Sequence, residues 1–375
     1  MNSAPTFSIL VPTYNQATYL PLSLGSLLAQ TDPDWEAVIV DDGSTDATPE
    51  VCRAHAASDP RLRVFRQANG GTAAALNRAL AEARGRWICW LSSDDLFEPF
   101  KLALHRWQME EEPDTRFFHT HFLSLEDETG NITEPDLWRP LPTRELQVAR
   151  FFSGNYVNGI TVCVRREDML ACAPFRADLR HGQDFDFWLR LSQRTPSSFS
   201  PRRTATLRWH AGQSTNSFPV AGLYDSAWAC VEFLNAHPYA ELFPLLDLDD
   251  PEQALMAAGE TLDILASTGS FVYQCGYIPA FMERFAQWLH ARPETAARRA
   301  CRDLLRRATQ REGFGALPRP VRAAFATALD AQKEHGYRPW DMPAFIRQVI
   351  AAADTDPRKR ENLTRYLEWK GLAAR

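Results

Sequence analysis

The chain has 375 residues, of which 45% are hydrophobic and 23% charged, and its formal net charge is −6. That length favours two domains over one, because single cores stop growing at roughly 250–300 residues. The acidic balance excludes a general nucleic-acid binder, which needs a basic face to meet phosphates.

No apolar run is long enough to span a bilayer, and residues 1–7 lack a basic segment followed by an apolar one, so neither a transmembrane span nor a signal peptide is expected. The seven cysteines are scattered and form no C-x-x-C pair. Free thiols in a reducing, cytoplasmic setting fit this pattern better than a disulfide framework or a zinc site.

The first hundred residues alternate strand and helix. Phe7–Val11 predicts a buried strand stopped at Pro12, and Tyr19–Gln30 a helix with Leu20, Leu24, Leu27 and Leu28 on one face. Glu36–Val40 is a second strand, followed by Thr48 as N-cap and Pro49 at the first helical position. Leu62–Phe65 is a third strand, Asn69-Gly70-Gly71 a turn, Thr72–Arg84 an Ala-rich helix and Trp87–Leu91 a fourth strand. Strands separated by helices imply parallel pairing through right-handed crossovers. Residues 96–222 are less regular, with strands expected at Phe117–Leu125, Ile160–Val164 and Thr204–Trp209 and a helix at Asp184–Gln193.

After Tyr224 strand patterns vanish. Helices are expected at Trp228–Leu234, Glu252–Leu265, Ile278–His290, Glu294–Arg307, Val321–Gln332 and Ala344–Ala353, punctuated by proline and glycine. The domains expected are 1–222, an α/β domain, and 223–375, an all-α domain. Arg298, Arg302 and Arg306 fall at i, i+4 spacing. They form a solvated face offset by Glu294 and Asp303, or a docking site for an anionic membrane surface or a protein acceptor.

In an open α/β sheet, ligands bind beyond the carboxyl ends of the strands. Three strand ends here carry polar runs: Pro12-Thr-Tyr-Asn15, Asp41-Asp-Gly-Ser-Thr-Asp46 and Ser92-Ser-Asp-Asp95. Adjacent carboxylates repel, and a hard divalent cation bridging them to a diphosphate is the usual compensation. Asp46 is equally well explained as a turn former or helix cap. The chain has neither G-x-G-x-x-G nor G-x-x-x-x-G-K-[ST], which disfavours a dinucleotide fold and a P-loop.

These runs, together with Asn69-Gly70-Gly71, Leu76-Asn77, Gln183-Asp-Phe-Asp-Phe-Trp-Leu-Arg-Leu191 and Arg208-Trp209-His210, resemble the family-two inverting glycosyltransferases of the GT-A fold. The resemblance covers roughly residues 6–217. It implies a Rossmann-like, mostly parallel sheet flanked by helices, with a helical domain added behind it.

The resemblance also implies roles. Pro12, Thr13, Tyr14 and Asn15 would line the nucleotide pocket with Asn69, and Asp42 would hold the base or ribose. Asp94 and Asp95 would serve the ribose and a diphosphate bound through Mg²⁺ or Mn²⁺. His210 would contact the metal or the diphosphate. Asp184 would be the general base. The donor would be a nucleoside diphosphate sugar, a UDP-sugar foremost. The acceptor would be a glycan, a lipid-linked saccharide or a protein, in polysaccharide or glycoconjugate biosynthesis. Asn158, Gly159 and Thr161 are expected on the acceptor side. Two positions depart from the family: Ser92 and Gln183 stand where an Asp and a Glu are frequent.

Two other functions compete. A nucleotidyltransferase would need a basic residue in the first loop, and Pro12–Gln16 has no Lys or Arg. A catalytically silent sugar- or protein-binding scaffold draws on Ser92 and Gln183, against which stand Asp94, Asp95 and Asp184.

Overall fold

The computed structural model describes residues 4–135, 142–213, 221–267, 277–291 and 293–311, with isolated positions beyond them. The helix candidates at Val321–Gln332 and Ala344–Ala353 lie essentially outside the described residues. The chain divides into two compact units, Met1–Leu141 with Asn155–Ser217, and Pro142–Gly154 with Phe218–Arg375. The boundary placed after residue 222 thus falls inside the first helix of the second unit, and a short segment before Asn155 also belongs to that unit.

The first unit runs β1 (Phe7–Thr13), α1 (Leu20–Leu28), β2 (Trp35–Asp41), α2 (Thr48–Ser58), β3 (Leu62–Arg66), α3 (Thr72–Glu82), β4 (Trp87–Trp90), β5 (Leu96–Phe97), α4 (Lys101–Glu111), β6 (Phe117–Glu126) and β7 (Ile132–Thr133). A short α5 (Gln147–Arg150) belongs to the second unit. The first unit resumes with β8 (Cys163–Arg165), α6 (Arg166–Cys172), α7 (Gln183–Arg194) and β9 (Ser197–Trp209).

The strands form one mixed sheet in the order β3-β2-β1-β4-β8-β6-β9-β5, with β7 paired to β6. β3, β2, β1 and β4 are mutually parallel. β8 runs antiparallel to both β4 and β6, so β6 and its parallel partner β9 point the same way as β1. The carboxyl ends of six strands therefore share one edge, where the polar runs lie. β1 and β2 are buried at every position, as strands covered on both faces must be. Phe7, Ile9, Val11, Leu24, Leu27, Ile39, Cys89 and Phe118 lie in one core cluster. Each such buried side chain contributes about 1.5–3 kcal/mol.

Three local expectations shift. Ala47, not Thr48, is the N-cap of α2, and Thr48 is buried with its hydroxyl accepting from the Gln16 amide. Residues Gly159–Thr161 form a 3₁₀ turn before β8. The late strand begins at Ser197 and takes 13 residues against the 10 of β6, through irregularities beside His121. A lysine is sealed into this unit: Lys101 is fully buried, 3.2 Å from both Thr204 Oγ1 and His105 Nε2. Burial pushes its ammonium down to about 8.

The second unit contains α8 (Ala221–Ala236), α9 (Pro251–Ser267), α10 (Tyr277–Leu289) and α11 (Ala296–Thr309). Phe152 packs against Phe233, Tyr277 and Phe281, and Arg150 pairs with the buried Glu260. The arginine face of α11 has a structural use. Arg302 donates to the carbonyl of Leu289, the last residue of α10, and Arg298 to those of Ala291 and Pro293 in the connection that follows it. Arg302 also pairs with Glu294, and Arg306 with Asp303. Cationic side chains at a helix C-terminus satisfy the last carbonyls and suit the dipole.

Candidate active site

The loops after β1 and β2 are tied to each other. Pro12 and Thr13 are buried, whereas Tyr14 is 45% exposed. Asn15 has a φ of 52°, in the left-handed region that Asn tolerates better than most residues. Its amide donates to Ser44 Oγ at 2.9 Å, and its side-chain oxygen accepts from the Thr45 amide at 2.8 Å. Asp46 accepts from the amides of Ala17 and Thr48. Burial alone would raise its carboxyl, but these bonds prevail and hold it below the ordinary value. Asp46 is a loop tie.

Asp42 is a clamp. One carboxylate oxygen accepts from Gln67 Nε2 at 2.7 Å and from the Gly70 amide at 3.0 Å, and the other accepts from the Gly71 amide at 2.7 Å. Gly43, at φ 79°, leaves no room for a side chain, since a Cβ there would lie 2.8 Å from the Asn69 nitrogen. Asp42 thus fixes the Asn69–Gly71 turn that opens α3, and Asn69 is exposed on it.

A second cluster forms where β4 ends. His210 Nε2 lies 3.1 Å from Asp94 Oδ2, across 116 residues of sequence. Asp95 is 2% exposed and accepts from the Arg208 amide at 2.8 Å. Burial first, and the neighbouring Asp94 charge second, push the Asp95 carboxyl well above the usual carboxylate range. Ser92 hydrogen-bonds to Asp95. Arg208 reaches the Asp94 carbonyl with Nε and Asp127 Oδ1 with a terminal nitrogen at 2.6 Å. The Tyr19 hydroxyl donates to Asp127 Oδ2 at 2.8 Å, and its ring lies 4.4 Å from the His210 imidazole, centroid to centroid. The hydrogen bond to Asp127 also raises the Tyr19 phenol above its ordinary pKa.

Asp184 opens α7, with Gly182 as N-cap. Asn155 Nδ2 donates to Asp184 Oδ2 at 3.3 Å. Burial pushes this carboxyl up, against the pull of nearby backbone amides and Asn155. The beginning of α7 is held to β4 by aromatic packing. Trp90 meets Phe175 and Trp188 at ring distances of 6.1 and 6.4 Å. The Asn77 side chain makes paired hydrogen bonds with the Phe175 backbone, at 2.8 and 2.7 Å.

The fold therefore brings Asp94, Asp95 and His210 together, holds Pro12–Asn15 with Asp42 and Asn69 at neighbouring strand ends, and sets Asp184 on a separate helix. Gly159 and Thr161 are buried, and Asn158 caps their turn by accepting from the Ile160 amide. Tyr19, Asp127 and Arg208 complete the His210 cluster. Sequence reasoning passed over the first two; Asp127 follows a strand end at the same edge, which was the available signal.

The sheet and its acidic carboxyl edge define a GT-A domain. Residues 8–169 match the model of glycosyl transferase family 2, which marks the chain as a glycosyltransferase. An uncharacterized glycosyltransferase of Rickettsia prowazekii is 24% identical over 284 residues, covering 74% of this chain and 83% of that one. Among solved structures, S. aureus TarS superposes with a TM-score of 0.54 at 20% identity, over 90% of this chain and 57% of that one. TarS 1–349 in complex with UDP-GlcNAc gives 0.50 at 17% identity, over 90% and 94%. The mannosyltransferase PcManGT of Pyrobaculum calidifontis, in complex with GDP-Man and Mn²⁺, gives 0.50 at 16% identity, over 89% of each chain. These likenesses establish the fold. No helix among the described residues is long and apolar enough to cross a membrane.

Proposed function

We propose that this glycosyltransferase takes a nucleoside diphosphate sugar as donor, requires a divalent cation and inverts the anomeric centre. The observation that carries the reading is the Asp94–His210 pair at the carboxyl edge of the sheet. The donor set fits Mg²⁺ or Mn²⁺. It offers one carboxylate and one imidazole nitrogen, and no group of three or more such ligands occurs among the described residues. Such a cation takes few protein ligands and completes its shell with water and phosphate oxygens. Asp94 and His210 would hold it, with Asp95 behind them bracing the Arg208 backbone. When bound, the cation neutralises charge on the departing diphosphate.

Pro12, Thr13, Tyr14 and Asn15 form one wall of the nucleotide site, and the Asn69–Gly71 turn that Asp42 clamps forms another. Thr13 Oγ1 is buried without a partner among the described residues, an oriented group for a ribose or base. Asp184 takes the proton of the acceptor hydroxyl. Its raised pKa makes it a better base than an ordinary aspartate, and transfer is concerted with attack from the face opposite the leaving group. UDP is the leading nucleotide, since TarS 1–349 binds UDP-GlcNAc; GDP is the alternative PcManGT provides. The acceptor is a glycan, a lipid-linked saccharide or a protein. The chain works in the cytoplasm, in keeping with the buried, free thiols Cys52, Cys89, Cys163, Cys172 and Cys301.

Thermal unfolding in the presence of UDP, GDP and their sugars, with and without Mn²⁺, tests the proposal. A ligand that binds only the folded state raises the melting temperature. A shift with one nucleotide that needs the metal supports the reading. A folded protein that shifts with none of them points to a silent scaffold.

A further inference from the structure

The carboxyl edge holds a second feature that the donor site does not use. Beyond His210 lies a cavity of about 470 Å³ that includes none of Thr13, Asp42 or Asp94 in its lining. Its floor is one face of the sheet. In the β6–β9 register Glu126 pairs with Trp209, and in the β6–β7 register Ser124 pairs with Thr133. Residues paired in register share a face, and Ser124 and Glu126, two apart on β6, share it too. Glu128 and Asn131 on the connecting turn also line it, as does His210.

The chemistry of this lining is specific. Trp209 is 39% exposed, so much of its ring faces open space at the end of a strand. Ser124 is 9% exposed and lines the cavity. Around the indole stand hydroxyl, amide and carboxylate groups, and no Lys or Arg lines the cavity among the described residues. A flat aromatic face flanked by short acceptors and donors suits a pyranose ring, which offers C–H bonds on its faces and hydroxyls around its rim. Two glutamates, with no Lys or Arg beside them among the described lining residues, disfavour a phosphate- or carboxylate-bearing chain.

We infer that this cavity is an acceptor subsite for a saccharide that carries no acidic groups, with Trp209 as the stacking platform and Glu126, Glu128 and Ser124 as hydroxyl partners. The inference rests on the glycosyltransferase reading and names its acceptor class: a neutral or amino-substituted glycan, whose end reaches past His210 toward the donor. Trp209 is a specificity residue here. It contacts the acceptor beyond the reacting sugar.

The test uses the full chain without donor. Saturation-transfer NMR is recorded with cellotetraose, maltotetraose and chitotetraose as neutral probes and tetragalacturonate as the anionic one. At least one neutral probe should bind weakly, tetragalacturonate should not, and Trp209→Ala should abolish the signal. Glu126→Gln with Glu128→Gln, a milder change at exposed positions, should weaken the preference against tetragalacturonate at least tenfold. Metal-dependent UDP-sugar and GDP-sugar binding, followed by thermal shift, should persist in the Glu126→Gln, Glu128→Gln variant. If the wild type binds nucleotide but none of the neutral probes, or binds tetragalacturonate as well as them, the subsite is wrong and the donor reading stands. If no nucleotide binds, the donor reading fails; oligosaccharide binding lost with Trp209 would then still support a saccharide cavity. Oligosaccharide binding that survives Trp209→Ala in a folded variant overturns the assignment.

Discussion

Trp90 and Gly159 touch so closely that a Cβ on Gly159 would lie 2.5 Å from Cε3 of the indole. Trp90 ends β4, four residues before Asp94, and the same indole packs on Trp188 of α7. The contact therefore joins the strand that presents the acidic pair to the helix that presents Asp184. Gly159→Ala should destabilise the first unit by about 1–3 kcal/mol, the usual cost of overpacking a filled core. It should also lower transfer more than nucleotide binding, because the two halves of the site lose their spacing. Chemical denaturation combined with donor titration checks both.

Asp184→Asn should lower transfer by roughly 10²–10⁴-fold, the usual worth of a positioned acid–base group, while donor binding is kept. Wild-type activity should fall on the acid side as Asp184 takes up its proton. Because burial raises its pKa, this limb should lie above the ordinary carboxylate range. The sign for stability is the opposite of that for a salt-bridged aspartate: a raised carboxyl is costly when ionised, so the variant should melt no lower than wild type at neutral pH. A pH–rate profile and a melting curve of each protein settle the point. Wild-type rates in the variant would remove Asp184 from the mechanism.

His210→Ala and Asp94→Asn should each raise the Mn²⁺ concentration needed for half-maximal donor binding by at least ~10-fold, the scale seen even when groups behind a metal ligand are lost. Tyr19→Phe removes the hydrogen bond to Asp127 and should have a smaller effect in the same titration. Equal metal dependence in wild type and His210→Ala would exclude the imidazole as a ligand.

Lys101 supplies a pH signature of the core. Its pKa is depressed by burial to about 8, so the folded state sheds this proton before the unfolded chain does. Stability from this group consequently rises with pH from about 8 to the unfolded lysine value near 10.4, by up to about 3 kcal/mol. The buried thiols Cys52 and Cys301, raised by burial, act in the opposite sense. The comparison is therefore the difference between wild type and Lys101→Met across that window, by urea unfolding at fixed pH. A constant difference would mean that Lys101 is not titrating in the folded core.

Much of this arrangement was legible in the sequence, because its signals are local. The apolar runs of β1, β2 and β4 and the polar residues behind them place the sheet edge without any tertiary information. What escaped was non-local. Asp127 meets Arg208 across 81 residues, and Tyr19 meets Asp127 across 108. No periodicity connects such positions. Asp42 illustrates a different limit: its type and place at a strand end suggested a ligand contact, yet both oxygens accept from the Gln67–Gly71 loop. The arginines of α11 read as a surface stripe, since the carbonyls that two of them satisfy belong to residues preceding their own helix.

β9 carries the last consequence. Past the irregularity at His121 it runs in step with β6, residue against residue, from Ala205 to Trp209. Side chains alternate faces along a strand, so Arg208 meets Asp127 on one side while Trp209 points to the other. The strand end thus behaves as a parity counter. A single residue inserted or deleted between Ala205 and Trp209 would exchange the two faces and send an indole where the guanidinium belongs. A change of two residues would restore the alternation. Length variation at this strand end should be confined to even steps, while the turn between β6 and β7 is free of that constraint.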